Sequence, residues 1–326
     1  MDLKISFYGA KKILKRGFQT ASGVLLEKEI IQMIISKGCE DLFIYELPLS
    51  PSLGEMPELI WEELNQHHNK LNFDRLKSKY VKIALSYLIN LGVKKQFFPK
   101  INTHIDEITV QTLSIGELPE DNAGEAIIKY KGSIESLDQI ITNTLESKHK
   151  WIADFNRSLD KDAWTYFCKK TDFSNCYFIE QPLAVGALTQ ELADLTPARI
   201  FADEEMLYLN PHSFIKSPFE GFVLKSIRHS YEELTQWMHL GNTQKIPFLI
   251  GSMTSDIIDR HFYWMLNEFA TIRQKPKNYV QFSSFEGELF GDSAFKMKGS
   301  SIEVNPDVFS YIKRNYTLKK TLFLFS

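Results

Sequence analysis

The sequence predicts an α/β protein in which parallel strands alternate with helices and close into a barrel. The first observation is a series of short apolar runs that end in polar residues and recur every 22 to 26 residues along the middle of the chain. The second is the helical periodicity of the segments between these runs, as in 133–147 and 230–238. One strand plus one helix occupies about this length, and at least six such units predict a closed parallel barrel.

Taken in chain order, the apolar runs end in two lysines, three acidic positions, a third lysine and a glycine-serine pair. These residues are Lys129 and Lys131, Asp154 and Asn156, Glu180, Asp203 and Glu204, Lys225, and Gly251 and Ser252. The carboxyl ends of parallel strands meet on one face of a barrel, where active sites are built. We therefore expect these side chains to surround a single mouth.

Composition restricts the class of protein. The chain has 326 residues, 44% of them hydrophobic, which is enough for one large barrel and a small companion domain. Its formal net charge of −3 provides no general attraction for nucleic acid or an anionic membrane. Cys39, Cys168 and Cys176 lack metal-ligand or redox spacing, and no apolar run reaches the roughly 20 residues of a membrane span. These features predict a soluble cytoplasmic protein.

The three acidic strand ends predict a cation site. They are Asp154, Glu180 and Asp203. Carboxylates that are close together repel one another unless a cation or protons intervene, and ligands that offer only oxygen suit Mg²⁺. Lys131 and Lys225 flank the acids in strand order, and the nearby charge of Lys129 would help Lys131 to act as a base near neutrality. A metal combined with a lysine base is suited to removing a proton next to a carboxylate.

The order and spacing of these motifs resemble those of the enolase superfamily, in its muconate-lactonizing-like branch. The matching motifs are Lys-x-Lys at 129–131, Asp-x-Asn at 154–156, Glu-x-Pro at 180–182, Asp-Glu at 203–204 and the lysine at 225. The resemblance implies a modified TIM (β/α)7β barrel with an α+β capping domain. A small-molecule carboxylate would be the substrate.

The same resemblance implies how the chain is divided. It places the N-terminal part of the capping domain in 1–99, the catalytic barrel in 100–285, and a C-terminal segment that returns to the cap in 286–326. The segments FQTASG (18–23) and IYELPLSPSLGE (44–55) resemble cap loops that close over the barrel mouth.

Within the superfamily, DFNR at 154–157 and the compact repeat resemble the o-succinylbenzoate synthases of menaquinone biosynthesis. That resemblance implies a lyase that uses Mg²⁺, with Mn²⁺ as a substitute. It would dehydrate 2-succinyl-6-hydroxy-2,4-cyclohexadiene-1-carboxylate to 2-succinylbenzoate. Lys131 would remove the proton alpha to the ring carboxylate and return it to the departing hydroxyl, while Lys225 would stabilise the anionic intermediate.

The resemblance also implies roles for the remaining residues. Lys129 would tune Lys131, and the three acids would bind the metal, which in turn binds the substrate carboxylate. Asn156 and Glu204 would hydrogen-bond to the metal ligands and the lysine base and so orient them. Gly251 and Ser252 would lie near the succinyl tail. Two positions depart from the family pattern, because Ile152 stands where an arginine is common and Ser255 where a glutamate is usual. Both departures concern the substrate tail rather than the metal or the lysines.

Two other functions compete with the dehydratase. One is a dipeptide epimerase or N-acylamino acid racemase of the same superfamily, with Lys131 and Lys225 as bases on opposite faces of the substrate. Dipeptide epimerases usually carry Asp-x-Asp at the eighth strand, and the segment 279–293 contains no such pair. The other is a non-catalytic barrel that serves as a binding or scaffold protein. The intact set of lysines and acids argues against this function.

Overall fold

The computed structural model describes residues 3–20, 23–47, 56–93, 108–113, 127–251, 266, 269–275, 295–298, 301–304 and 306–324. The strands are β1 (Leu3–Thr20), β2 (Gly23–Lys37), β3 (Glu40–Leu47), β4 (Ile108–Leu113), β5 (Ile127–Lys131), β6 (Trp151–Asp154), β7 (Cys176–Glu180), β8 (Ile200–Ala202), β9 (Gly221–Leu224), β10 (Phe248–Ile250), β11 (Gln274–Lys275), β12 (Phe295–Lys298), β13 (Ser301–Val304) and β14 (Thr317–Phe323).

The α-helices are α1 (Pro57–Gln66), α2 (Lys79–Tyr87), α3 (Leu137–Glu146), α4 (Lys161–Lys170), α5 (Gln190–Ala193), α6 (Pro211–Phe214), α7 (Tyr231–Gln244) and α8 (Pro306–Asn315). A π-helical segment, Leu88–Val93, continues α2. Side chains at the starts of the barrel helices explain where they begin. Asp160 accepts a hydrogen bond from the N–H of Ala163 at the start of α4, and Ser230 and Glu233 form a capping box at the start of α7.

Eight of the described strands form one parallel sheet in the order β10-β9-β8-β7-β6-β5-β4-β11. The sheet curls until its two edges approach. There, the N–H of Ile272, just before β11, donates to the carbonyl of Phe248 in β10 at 2.9 Å. The predicted α/β barrel is thereby confirmed.

Alternation along the barrel strands separates an interior layer from a helix-facing layer. The interior layer is a distinct apolar cluster made of Ile127, Ile152, Phe178, Phe201, Val223, Leu249 and Ile272. Phe178 and Phe201 stack there, with ring centroids 4.1 Å apart. Neighbours of the opposite parity, such as Trp151 and Phe222, join the larger core beneath the helices. The barrel is therefore filled with side chains below the level of the strand ends.

An antiparallel sheet with the order β14-β1-β2-β3 forms the core of the capping domain that accompanies the barrel. One face, which includes Phe7 and Met33, packs into the main core together with α1 and α2. The opposite face, which includes Ile34, is covered by Val308 and Ile312 of α8. The predicted combination of a barrel with an α+β cap is confirmed, and the last strand of the chain pairs with the first.

Several sequence predictions fall on residues that are not described. They are the cap-loop positions 21–22 and 48–55, the predicted location of Ser252 near the substrate tail, the departure at Ser255, and the segment 279–293. The described strands of the barrel, from Ile108 to Lys275, fall inside the predicted range 100–285. All three cysteines are free thiols. Within the described residues, no helix has the length and apolarity needed to cross a membrane.

Candidate active site

The polar side chains at the strand ends converge because each stands two positions after a residue of the interior layer in the sequence. Ile152, Phe178 and Phe201 point into the barrel. In an extended strand the residue two positions later points the same way, so Asp154, Glu180 and Asp203 follow at the mouth. The same rule places Lys129 and Lys131 after Ile127, Lys225 after Val223, and Gly251 after Leu249. Each of the three acidic residues is at most 2% exposed.

Lys129 bridges two of the acids. Its Nζ lies 2.9 Å from Asp154 Oδ2 and 2.6 Å from Glu180 Oε2. Burial alone would lower the pKa of Lys129, but the two carboxylates outweigh it and raise the pKa well above its usual range. Lys129 is therefore held as a cation between Asp154 and Glu180.

The pKa values of the two carboxylates that Lys129 bridges are shifted in opposite directions. Burial would raise the pKa of Asp154, but Lys129 and Lys131 hold it well below its usual range. Burial and the charge of Asp154 raise the pKa of Glu180, and Lys129 only partly opposes them. Glu180 is consequently the acid whose negative charge is least well compensated among the three.

Lys131 occupies the wall of the mouth next to Lys129. Its Nζ lies 3.1 Å from Asp154 Oδ2 and donates to Asn156 Oδ1 at 3.3 Å. Asn156 takes a left-handed conformation with φ of 46°, and its own N–H donates to Asp154 Oδ1 at 3.2 Å. The tight turn after β6 thus brings the predicted partner Asn156 against Lys131.

Two cations bind Asp203. Lys225 directly follows β9, and Arg228 lies three residues later in the turn after that strand. Lys225 Nζ lies 2.7 Å from Asp203 Oδ2, and Arg228 Nη1 lies 2.6 Å from Asp203 Oδ1. Burial would raise the pKa of Asp203, but Arg228 and then Lys225 lower it to about 2. Asp203 is an anion in any working pH range.

Glu204, the predicted supporting acid, lies beside this pair without a firm partner. Its Oε1 is 3.9 Å from Arg157 Nε, and its Oε2 is buried with no hydrogen-bond donor among the described residues. Burial and the adjacent charge of Asp203 raise the pKa of Glu204 to about 7. Glu204 Oε2 therefore lies next to the three acids without a donor, where a bound cation could be coordinated by it.

The three acids fit Mg²⁺ by their donor chemistry. They offer only oxygen, they lie at the ends of the adjacent strands β6, β7 and β8, and the unsatisfied oxygen of Glu204 is nearby. In the part of the chain that the structure describes, however, no three acidic, histidine or cysteine side chains already converge as a metal site. Ammonium and guanidinium groups lie against the carboxylates instead, so the positive charge is supplied by the chain itself.

Gly251 was expected near the substrate tail, and the structure places it against Lys225. A Cβ at this position would lie 2.8 Å from Val223 Cγ1 and 2.9 Å from Lys225 Cε. The absence of a side chain therefore leaves room for the stem of Lys225 as it crosses from β9 to Asp203.

Gly251→Ala tests this spatial role. The added methyl group should push Lys225 off its present course, and a displacement of about 1 Å at a catalytic group can cost roughly 10²-fold in turnover. Turnover would be compared with that of the parent protein after circular dichroism has shown equal folding. An unchanged turnover in a folded variant would show that the position of Lys225 does not depend on the missing side chain at Gly251.

Sequence reasoning missed two residues of the site. Arg228 lies three positions beyond Lys225 and reaches Asp203 across the turn. Gln181 is 1% exposed, and its Oε1 accepts hydrogen bonds from the N–H groups of Asp203 and Glu205, both at 3.0 Å. Gln181 is the middle residue of the Glu-x-Pro motif and adopts a left-handed φ of 37°, which its residue type does not predict.

No protein-family model and no curated protein matches the sequence. Solved structures do match it. A dipeptide epimerase from Cytophaga hutchinsonii, complexed with Mg and D-Ala-L-Val, has a TM-score of 0.72 at 13% identity over 100% of both chains. An N-succinyl Arg/Lys racemase from Bacillus cereus ATCC 14579 has a TM-score of 0.72 at 14% identity, also over 100% of both chains.

A member of the enolase superfamily from Listeria innocua matches with a TM-score of 0.66 at 14% identity, over 99% of this chain and 98% of that one. At such identities the likeness establishes the fold, which is that of enolase superfamily structures. The narrower resemblance to o-succinylbenzoate synthases stays a prediction.

Proposed function

We propose that this protein is an enzyme that removes the proton alpha to a carboxylate, with lysines on both sides of the substrate. The observation that carries the proposal is the position of Lys131 and Lys225. Lys131 ends β5 and Lys225 directly follows β9; these strands lie four apart in the ring of eight and hence on opposite walls. The three buried acids lie at the ends of the strands between them. A carbon acid in the mouth would thus have an amine on either side and a carboxylate-lined floor.

Asp154, Glu180 and Asp203 would hold Mg²⁺ in this reaction. When bound, the metal would draw charge from the substrate carboxylate and so make the neighbouring C–H more acidic. The chain's own residues do the rest: Lys131 and Lys225 move or stabilise charge at the reacting carbon, and Asn156 orients Lys131 through its side-chain oxygen. Lys129 lies against Asp154 and Glu180 and so pairs the carboxylates of the floor.

The first candidate reaction is epimerisation or racemisation of a dipeptide or an N-acylamino acid. Two of the matched structures are an epimerase and a racemase, and they cover the whole chain. In such a reaction one lysine takes the proton and the other returns a proton to the opposite face. The opposed lysines of this site suit that requirement.

The second candidate is the dehydration of the cyclohexadiene carboxylate to 2-succinylbenzoate. DFNR at 154–157 and the compact strand-helix repeat favour it. One lysine, Lys131, would then serve as both base and acid, and Lys225 would contribute positive charge alone. The protein would be a lyase of menaquinone biosynthesis rather than an isomerase.

Incubation in deuterated solvent with Mg²⁺ separates these reactions. The substrates would be a dipeptide, an N-succinylamino acid and the cyclohexadiene carboxylate. Deuterium entering the alpha position of either enantiomer of an amino acid substrate would support the isomerase. Formation of 2-succinylbenzoate without such exchange would support the dehydratase. If none of the three substrates exchanges or reacts, the proposal of an enzyme falls and the non-catalytic barrel takes its place.

A further inference from the structure

We propose that Gln181 is a positioning residue that fixes the spacing of the three buried acids and thereby makes their site selective for Mg²⁺ over Ca²⁺. The inference rests on the proposed function, in which the acids at the ends of β6, β7 and β8 hold the metal. Gln181 directly follows Glu180, the acid at the end of β7, and is 1% exposed. Its Oε1 accepts hydrogen bonds from the N–H groups of Asp203 and Glu205 in the turn after β8, both at 3.0 Å.

The backbones that carry the three acids are joined by two different kinds of contact. Asp154 and Glu180 are direct partners in the main-chain pairing of β6 with β7. The pairing of β7 with β8 ends at Phe201, whose carbonyl accepts a hydrogen bond from the N–H of Gln181 at 3.0 Å. Asp203 lies two residues beyond this last pair. The side chain of Gln181 therefore takes the place of a main-chain contact and extends the link between β7 and β8 to Asp203.

Contacts at both ends of its amide hold Gln181 in place. Its Nε2 donates to the carbonyl of Leu183 at 3.1 Å and to Glu205 Oε2 at 3.4 Å. Glu205 Oε1 in turn accepts a hydrogen bond from the N–H of Gly186 at 3.0 Å. The backbone of Gln181 is left-handed, with φ of 37°, and such a strained conformation persists only where the surroundings fix it. The amide therefore cannot shift without breaking several hydrogen bonds at once.

The spacing of the acids matters more for Mg²⁺ than for Ca²⁺. Mg²⁺ requires near-ideal octahedral geometry with oxygens at about 2.0–2.1 Å, whereas Ca²⁺ accepts oxygens at about 2.3–2.6 Å in flexible arrangements. Lys225 and Arg228 hold the carboxylate of Asp203 from the side of β9, and Gln181 holds its N–H from the side of β7. Without the contact to Gln181, Asp203 would be able to move toward β9 and away from the other two acids. The ion with the stricter geometry would then lose more affinity.

The experiment measures the Mg²⁺ and Ca²⁺ affinities of Gln181→Asn by calorimetric titration without substrate. Asparagine keeps the amide and tolerates a left-handed backbone, but it is one methylene shorter and cannot reach the N–H groups of Asp203 and Glu205. Mg²⁺ affinity should fall about tenfold or more, the scale seen when groups that orient metal ligands are altered. Ca²⁺ affinity should stay within about threefold of that of the parent. An unchanged ratio of the two affinities, whether both fall or neither does, would overturn the proposal.

Two control variants separate positioning from a general loss of structure. Gln181→Glu keeps an acceptor oxygen in the place of Oε1, and its added charge acts on both ions, so the ratio of affinities should stay within about threefold of that of the parent. A ratio that falls as far as in Gln181→Asn would count against the proposal. Trp164→Phe removes the hydrogen bond from Trp164 Nε1 to the carbonyl of Leu192, 2.9 Å long and remote from the acids. It should lower Tm while leaving both affinities unchanged.

Gln181→Met, which is of similar length but lacks the amide, replaces Gln181→Asn if the latter does not fold, and the same loss of Mg²⁺ preference is expected. The outcomes distinguish this inference from the proposed function. A parent protein that binds neither ion would refute the metal site of the proposed function, and the role of Gln181 would fall with it. A parent that binds Mg²⁺, together with a Gln181→Asn variant that keeps the same preference, would refute the role of Gln181 alone.

Discussion

Replacing Lys131 with alanine should reduce turnover by about 10²–10⁴-fold or more, the usual contribution of a general acid or base. Lys131 Nζ lies at the mouth, 3.1 Å from Asp154 Oδ2 and 3.3 Å from Asn156 Oδ1. Its side chain is 28% exposed, the most open of the three site lysines. It is thus oriented by two neighbours and still able to meet a substrate.

The matched control is Lys150→Ala. Lys150 is exposed and precedes β6, at the end of the barrel opposite the mouth. It should leave both turnover and stability nearly unchanged, as surface substitutions usually do. Equal activity of Lys131→Ala and Lys150→Ala would remove Lys131 from the chemistry, and the assignment of the mouth as the active site would lose its main support.

Lys225→Arg separates the two candidate reactions. Arginine keeps the positive charge beside Asp203 but is too basic to take a proton. A dehydratase that needs only charge from this position should retain measurable turnover. An epimerase or racemase needs a base on each face, so the same change should abolish net conversion in both directions.

The convergence of these strand-end side chains could be predicted from the sequence because a strand fixes direction as well as position. Once the apolar runs are taken as strands, every second residue points into the barrel, and the residue two places after Ile152, Phe178 or Phe201 must reach the mouth. The identity of that residue can be read directly from the sequence. The strand order follows from the short connections, since successive parallel strands joined by helices lie side by side.

What the sequence could not predict depends on contacts across turns. Arg228 follows the strand end by three residues, and nothing in its type or spacing distinguishes a buried guanidinium from a solvated one. Gln181 holds the backbone of Asp203 only because the chain adopts a left-handed conformation after Glu180. The pairing of Lys129 with Asp154 and Glu180 was missed for a related reason. Lysines and acids were assigned separate roles, although opposite charges that share a buried floor stabilise each other by pairing.

Glu180→Gln should weaken Mg²⁺ binding by roughly 10–100-fold or more, the scale seen when groups around a metal are altered. Glutamine keeps an oxygen within reach of Lys129 Nζ, now 2.6 Å from the carboxylate, so the fold should persist. It removes the negative charge that is least compensated among the three acids and therefore most available to a dication. Affinity would be measured by calorimetric titration of Mg²⁺, which requires no substrate. Glu191→Gln, on the exposed surface of α5, is the matched control and should bind Mg²⁺ as the parent does.

Chelation with EDTA should abolish turnover in the parent protein, and added Mg²⁺ should restore it. The physical reason is that the site then contains only its own cations. Lys129 and Lys225 lie against the carboxylates, and the substrate carboxylate would lack the dication that makes the neighbouring C–H more acidic. Added metal competes with these ammonium groups for the same oxygens, so recovery should be graded with Mg²⁺ concentration rather than abrupt. Full activity in metal-free buffer, or an unchanged Mg²⁺ affinity in Glu180→Gln, would exclude the three acids as a metal site and leave the lysine–carboxylate pairs as the working form of the mouth.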